Sequence, residues 1–143
     1  MSLRRLIRDE AGVALLEFAL LVMVLLLLVF GAIDFGRALF TSNNLTSAAR
    51  EGARYGAVLP APGDHIAEIQ QTAMARMSPF GNAPVQASQV VVTCLPNCAT
   101  TQLQSVQVQI NYPFTWLTPL PRLLGQDMTQ TLRARATFRW EGS

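Results

Sequence analysis

From Ala11 to Ile33 the chain reads AGVALLEFALLVMVLLLLVFGAI, apolar throughout except for Glu17. A helix needs roughly 20 such residues to cross a bilayer, so this run is long enough. The pattern then changes but stays helical. From Asp34 to Ala57 there is no proline, and Phe35, Leu39, Leu45, Ala49 and Ala53 recur at roughly helical spacing. Pro60, Pro62 and Gly63 end the segment. These features predict one helix over 13–58, about 69 Å long at 1.5 Å per residue. Only about 30 Å of it fits in hydrocarbon, so residues 13–33 would span and the rest would project outward. The polar stretch Ser42–Asn43–Asn44 is a point where the helix could bend or fray.

The outer half of that helix carries rows of small residues: Ala48, Gly52 and Gly56 in one, Ala49, Ala53 and Ala57 in the next. Glycine inside a helix costs roughly 1 kcal/mol relative to alanine, so two in one row need a compensating close approach. Either the chain's own sheet packs there, or the row is a helix–helix seam between subunits.

Asp64 to Met77 reads as a short second helix, with Asp64 as N-cap and an apolar stripe of Ile66, Ile69, Ala73 and Met77. Three strands follow. Gln89–Thr93 is the first. In Gln104–Tyr112, Val106, Val108, Ile110 and Tyr112 share one face. In Thr131–Trp140, Leu132, Ala134, Ala136, Phe138 and Trp140 do the same. One apolar and one polar face per strand predicts an antiparallel sheet covered on one side, and the small-residue face of the long helix is the natural cover. Between the last two strands lies a loop rich in apolar residues and proline. Pro113, Pro119 and Pro121 argue against regular pairing, while Phe114, Trp116, Leu117, Leu120 and Leu123 need burial, over the sheet edge or against a partner. The expected class is α+β: a long N-terminal transmembrane helix extended outward, a short second helix and a small antiparallel sheet on the first helix.

Composition adds limits. The chain has 143 residues, half of them hydrophobic. About 85 follow the long helix, a number marginal for an independent core, so the helix itself should form part of it. The net charge of +2 is no footprint for nucleic acid. Arg4, Arg5 and Arg8 precede the apolar run, which orients the N-terminus toward the cytoplasm and residues 34–143 outside. A secretory signal peptide would have a shorter apolar core, about 7–15 residues, and a clearer small-residue cleavage site. Cys94 and Cys98, in TCLPNCAT, suit a disulfide in an oxidising exterior; free thiols are the alternative, and C-x3-C with no second ligand pair is a poor metal site. His65, the only histidine, stands far from both cysteines. Arg133, Arg135 and Arg139 line the polar face of the last strand, where solvent is the simplest neighbour. No nucleophile–base pair, phosphate loop or metal-ligand spacing points to an enzyme or a cofactor.

One residue asks for a function. A carboxylate inside a membrane helix costs about 2.5–3.5 kcal/mol on insertion scales and calls for a partner. Glu17 lies five residues after Gly12, which follows the basic leader MSLRRLIRDEA. The arrangement G-V-A-L-L-E-F, Gly12 to Phe18, resembles the processing site of type IV pilin-like proteins. The stretch IDFGRALFTSNNLTSAAREGARYGA, residues 33–57, resembles the TadE-like family, minor pseudopilins of bacterial tight-adherence (Tad/Flp) pili, and the strands at 106–114 and 131–140 fit the same pattern. The resemblance implies a pilin-like fold and a role in pilus assembly and cell adhesion. It implies cleavage by a prepilin peptidase between Gly12 and Val13, removing residues 1–12. Implied partners are the peptidase, the major Flp pilin, other pseudopilins, the inner-membrane assembly platform and membrane lipid. It places the chain in the bacterial inner membrane or in the extracellular pilus. Glu17 would pair with the Val13 amine, in its own chain or a neighbour. Two alternatives stay open: an uncleaved single-pass anchor with an extracytoplasmic binding domain, and a Glu17 that merely snorkels to the cytoplasmic headgroups.

Overall fold

A computed structural model of the protein describes residues 3–77, 84–98, 104–123 and 125–141. The dominant element is α1, Leu3–Val58. It begins earlier than the expected Val13, because nothing from Leu3 to Gly12 forbids helix: there is no proline, and a lone glycine costs only about 1 kcal/mol. Nor does it fray at Ser42–Asn44. The helix continues through them, and the Thr46 hydroxyl donates to the Ser42 carbonyl at 2.9 Å.

The second helix, α2, covers Ile66–Ala75 and is shorter than the spacing suggests. Asp64 is not its cap. The Asp64 and His65 amides donate back to the Ala61 and Pro62 carbonyls, at 3.0 and 3.3 Å, so the turn takes up these residues and the N-cap falls on His65, with no side-chain cap bond. Ile69 and Ala73 are buried, whereas Ile66 is exposed and Met77 lies beyond the helix.

A short 3-10 turn, Ala87–Gln89, leads into β1, Val90–Leu95. Strand β2 is Ser105–Thr115 and β3 is Thr129–Arg139, with the small helix α3, Leu120–Leu123, between them. Among the described residues the sheet is antiparallel in the order β1-β2-β3. Val90 pairs with Ile110 and Leu95 with Ser105; Ser105 pairs with Arg139 and Thr115 with Thr129. Pro113 lies within β2, opposite Thr131, contrary to the expectation that it would prevent pairing. The register explains it. Pairing with β1 ends at Ile110, so beyond that point β2 has an open side where a missing N–H breaks no ladder.

The sheet and α2 both pack on the outer half of α1. Leu45, Ala48, Ala49 and Ala53 of α1 meet Ile69, Ala73, Val108, Ile110, Tyr112, Phe114, Ala134 and Ala136 in one core. Phe35 and Leu39, expected on this face, are exposed. The step from Leu39 to Leu45 explains the miss: six residues at about 100° each end roughly 240° around the helix. The row Ala48–Gly52–Gly56 is occupied by the chain's own elements. A Cβ on Gly52 would lie 2.9 Å from the Ala73 Cβ and 3.4 Å from the Ile69 carbonyl; one on Gly56 would lie 2.9 Å from Val106 Cγ1 and 3.0 Å from Ile69 Cδ1. The far end of α1 is pinned by β3: Trp140 Nε1 donates to the Leu59 carbonyl at 2.8 Å, and the Glu141 amide to the Ala57 carbonyl at 3.0 Å.

The two glycines therefore differ. At Gly56 the obstructing atoms are side-chain ends that can rotate. At Gly52 the obstruction is a Cβ fixed to α2 backbone. Overpacking costs about 1–3 kcal/mol, and alanine returns about 1 kcal/mol of helix propensity. Gly52→Ala should thus destabilise the domain by roughly 1 kcal/mol, with a smaller or reversed effect for Gly56→Ala. Denaturant midpoints of the two variants against wild type check this ranking.

Candidate functional site

The membrane-proximal half of α1 is bare. Val13, Leu15, Leu16, Phe18 and most apolar residues on to Phe40 are exposed, Val22 and Ala38 being half-buried, and no residue of the most apolar stretch is buried in the protein. Among the described residues this is one helix long and apolar enough to cross a membrane. Gly12 and Glu17 both stand on this bare surface. A Cβ at Gly12 would meet nothing within 4 Å, so no packing in the fold requires glycine there. Gly36, farther along, is equally open.

At the outer end of the apolar run the structure builds a site that the sequence pattern did not expose. Asp34 is almost completely buried, at 2% exposure. Its Oδ1 accepts from the Leu117 amide at 3.1 Å and from Arg37 Nη1 at 3.1 Å. Its Oδ2 accepts from the Thr118 amide at 2.8 Å and the Thr118 hydroxyl at 2.7 Å. Burial alone would raise the carboxyl pKa. The Thr118 hydroxyl and amide, the Leu117 amide and Arg37 together outweigh it and hold Asp34 below its ordinary value. The Arg37 guanidinium lies 5.3 Å from the centre of the Phe114 ring, and Trp116 meets that ring edge-on at 5.2 Å. One carboxylate thus fastens the segment after β2 to the helix where the apolar run stops.

The same segment corrects an expectation. Phe114 is fully buried and Trp116 partly so, but Leu117 is 69% exposed rather than packed over the sheet edge. Its amide is tied to Asp34 while its side chain points away from the core. The side chains of Leu120 and Leu123 lie outside the described residues.

Cys94 and Cys98 are joined in a disulfide with Cα atoms 4.7 Å apart. It braces the end of β1 against the loop between α1 and α2, where a Cβ on Gly63 would lie 2.9 Å from Cys98 Cβ. His65 Nδ1 lies 3.1 Å from Glu68 Oε1, and the Tyr55 hydroxyl donates to Glu68 Oε2 at 3.1 Å, a surface network. Arg133, Arg135 and Arg139 are exposed, and Arg135 bonds Gln109 across the sheet at 2.9 and 3.2 Å. Among the described residues no group of three His, Cys, Asp or Glu side chains could hold a metal.

A bare apolar helix running into a small α+β domain defines a membrane-anchored protein with its folded part at one end. The family model described as TadE-like protein matches residues 12–54, from Gly12 through Glu17, Asp34 and Gly52 to Arg54. Over that stretch the chain is similar to the TadE-like family, which is associated with Tad pili, and the match bears out the resemblance seen in those residues. No curated protein and no solved structure matches the chain.

Proposed function

We propose that this chain is a minor pilin of a Tad-type pilus, inserted with its N-terminus in the cytoplasm and trimmed by a prepilin peptidase between Gly12 and Val13. The observation that carries the reading is the pair Gly12 and Glu17 on an otherwise bare apolar helix. Gly12 serves no packing purpose. As a poor helix former it lowers the cost of unwinding α1 locally, so that a peptidase can engage the backbone as an extended segment.

Cleavage would leave the Val13 ammonium at a helix N-terminus, where the macrodipole is already positive. Glu17 lies about 6 Å farther along the axis, within reach of that cation in its own chain or in a neighbour packed alongside. In the second case the pair sets the axial register of adjacent helices, because an unpaired charge in a dry bundle is expensive. The exposed apolar face of α1 supplies the packing surface, first to lipid and then to other pilins. The domain is clamped to the helix through Asp34 and tied to its far end at Trp140. The family's association with pili supports pilus components as partners.

Pili sheared from cells and probed for a C-terminally tagged copy test this role. Recovery of the chain with the filaments, or crosslinked to their pilins, is the expected result. Retention with the cell membrane alone, with no crosslink to any pilus component, would contradict it.

A further inference from the structure

The Asp34 clamp fixes the depth of a loop as well as the fold. If residues 13–33 fill the hydrocarbon, about 30 Å thick, Asp34 stands at the outer headgroups. Its carboxylate holds the Leu117 and Thr118 amides at 3.1 and 2.8 Å, so that loop must lie at the same level. Among the described residues that follow Phe40 in the chain, Leu117 is the most exposed large hydrophobic side chain, at 69%. At the same height Phe35, one residue past Asp34, is 61% exposed. Trp116 turns inward, its indole against the buried Phe114 ring and its Nε1 enclosed in the protein, so Leu117 is the side chain of this pair that faces out. The one carboxylate of the clamp is buried against Arg37 and presents no free charge to a bilayer.

We propose that the Trp116–Leu117 loop is a membrane foot. Leu117 inserts its side chain among the outer-leaflet headgroups and upper acyl chains, and this sets the height and tilt of the domain before assembly. The occupant is lipid because the patch is continuous with the exposed surface of α1, which meets the bilayer in every copy before it meets another subunit. The inference rests on the membrane-spanning reading of α1 and goes beyond it, since it places a loop of the folded domain, distant in sequence, inside the interface.

The experiment uses the full chain with its disulfide intact. Leu117→Cys and, as a water-facing control, Arg135→Cys are each labelled with a nitroxide. They are reconstituted at low protein density into vesicles of zwitterionic and anionic phospholipid. Leu117→Cys keeps the backbone amide that Asp34 binds. The label at 117 should be accessible to oxygen and several-fold less accessible than the label at 135 to a water-soluble nickel chelate. Equal nickel access at both positions would overturn the inference. So would shielding at 117 from both reagents, which would mean a protein neighbour covers it. Flotation of the same vesicles separates the two claims. A chain that fails to float overturns the spanning reading and the foot together. A floating chain with a water-exposed Leu117 overturns the foot alone.

Discussion

Asp34→Ala is expected to destabilise the outer domain by roughly 3 kcal/mol, since each buried donor left unsatisfied costs about 1–3 kcal/mol. The substitution orphans the Thr118 amide and hydroxyl and the Leu117 amide at once. It also takes the carboxylate away from Arg37, which is itself only 14% exposed. Native domains are stable by only about 5–15 kcal/mol, so the loss should be plain in denaturant unfolding of the detergent-solubilised protein. Thr118→Val removes only the hydroxyl bond and should cost about 1 kcal/mol. The pH dependence has a definite sign. Asp34 is held below its ordinary pKa in the folded state, so its stabilisation is fully present above the unfolded pKa and is lost as pH falls through the folded one. The gap between wild type and Asp34→Ala should therefore be widest near neutral pH and close on acidification. A gap that is constant with pH would mean that the carboxylate charge contributes nothing.

Glu17→Leu should produce the largest functional change for the smallest structural one. The side chain is exposed and on bare helix, so its loss leaves the folded domain untouched. Leucine also removes a cost of about 2.5–3.5 kcal/mol for a charge in the membrane. If Glu17 served only itself by snorkelling, the variant would insert and assemble at least as well as wild type. If it neutralises the Val13 amine across a subunit contact, the variant inserts and is cleaved normally, but the chain drops out of the pilus. Sheared-pilus recovery of the variant, read beside its cleavage state, separates the two. Normal cleavage with strongly reduced recovery is the expected pattern. Wild-type recovery would remove the pairing role.

What was legible in the sequence was what repeats locally. Strand β2 reads cleanly because it has one dry and one wet face, so Val106, Val108 and Ile110 alternate with glutamines, whereas on the expected apolar face of β3 only Ala134 and Ala136 are buried and Phe138 is exposed. The long helix is legible from its unbroken, proline-free run, but its start at Leu3 is not, because the leader carries no stop signal, and neither is the exposure of Phe35 and Leu39. Asp34 carries no local signal of its role. Its partners, Leu117 and Thr118, lie 83 and 84 residues away, and no local spacing brings them together. Leu117 is a parallel case: its apolar type suggests burial, while the backbone bond to Asp34 is invisible to composition. The Asp64 cap failed on a finer scale, because the Ala61–His65 turn absorbed the residue that would have capped. Gly12 and Glu17 are the opposite case. Their spacing is visible in the sequence, and no packing contact at Gly12 in the fold accounts for it.

The mass of the mature N-terminal peptide, taken from native membranes and from sheared pili, tests the central claim most directly. A chain that begins at Val13, with Gly12→Leu retaining the leader, is the result expected of a processed pilin. An intact leader on the wild-type chain, in cells whose peptidase matures the major pilin, would contradict it and leave an uncleaved membrane anchor.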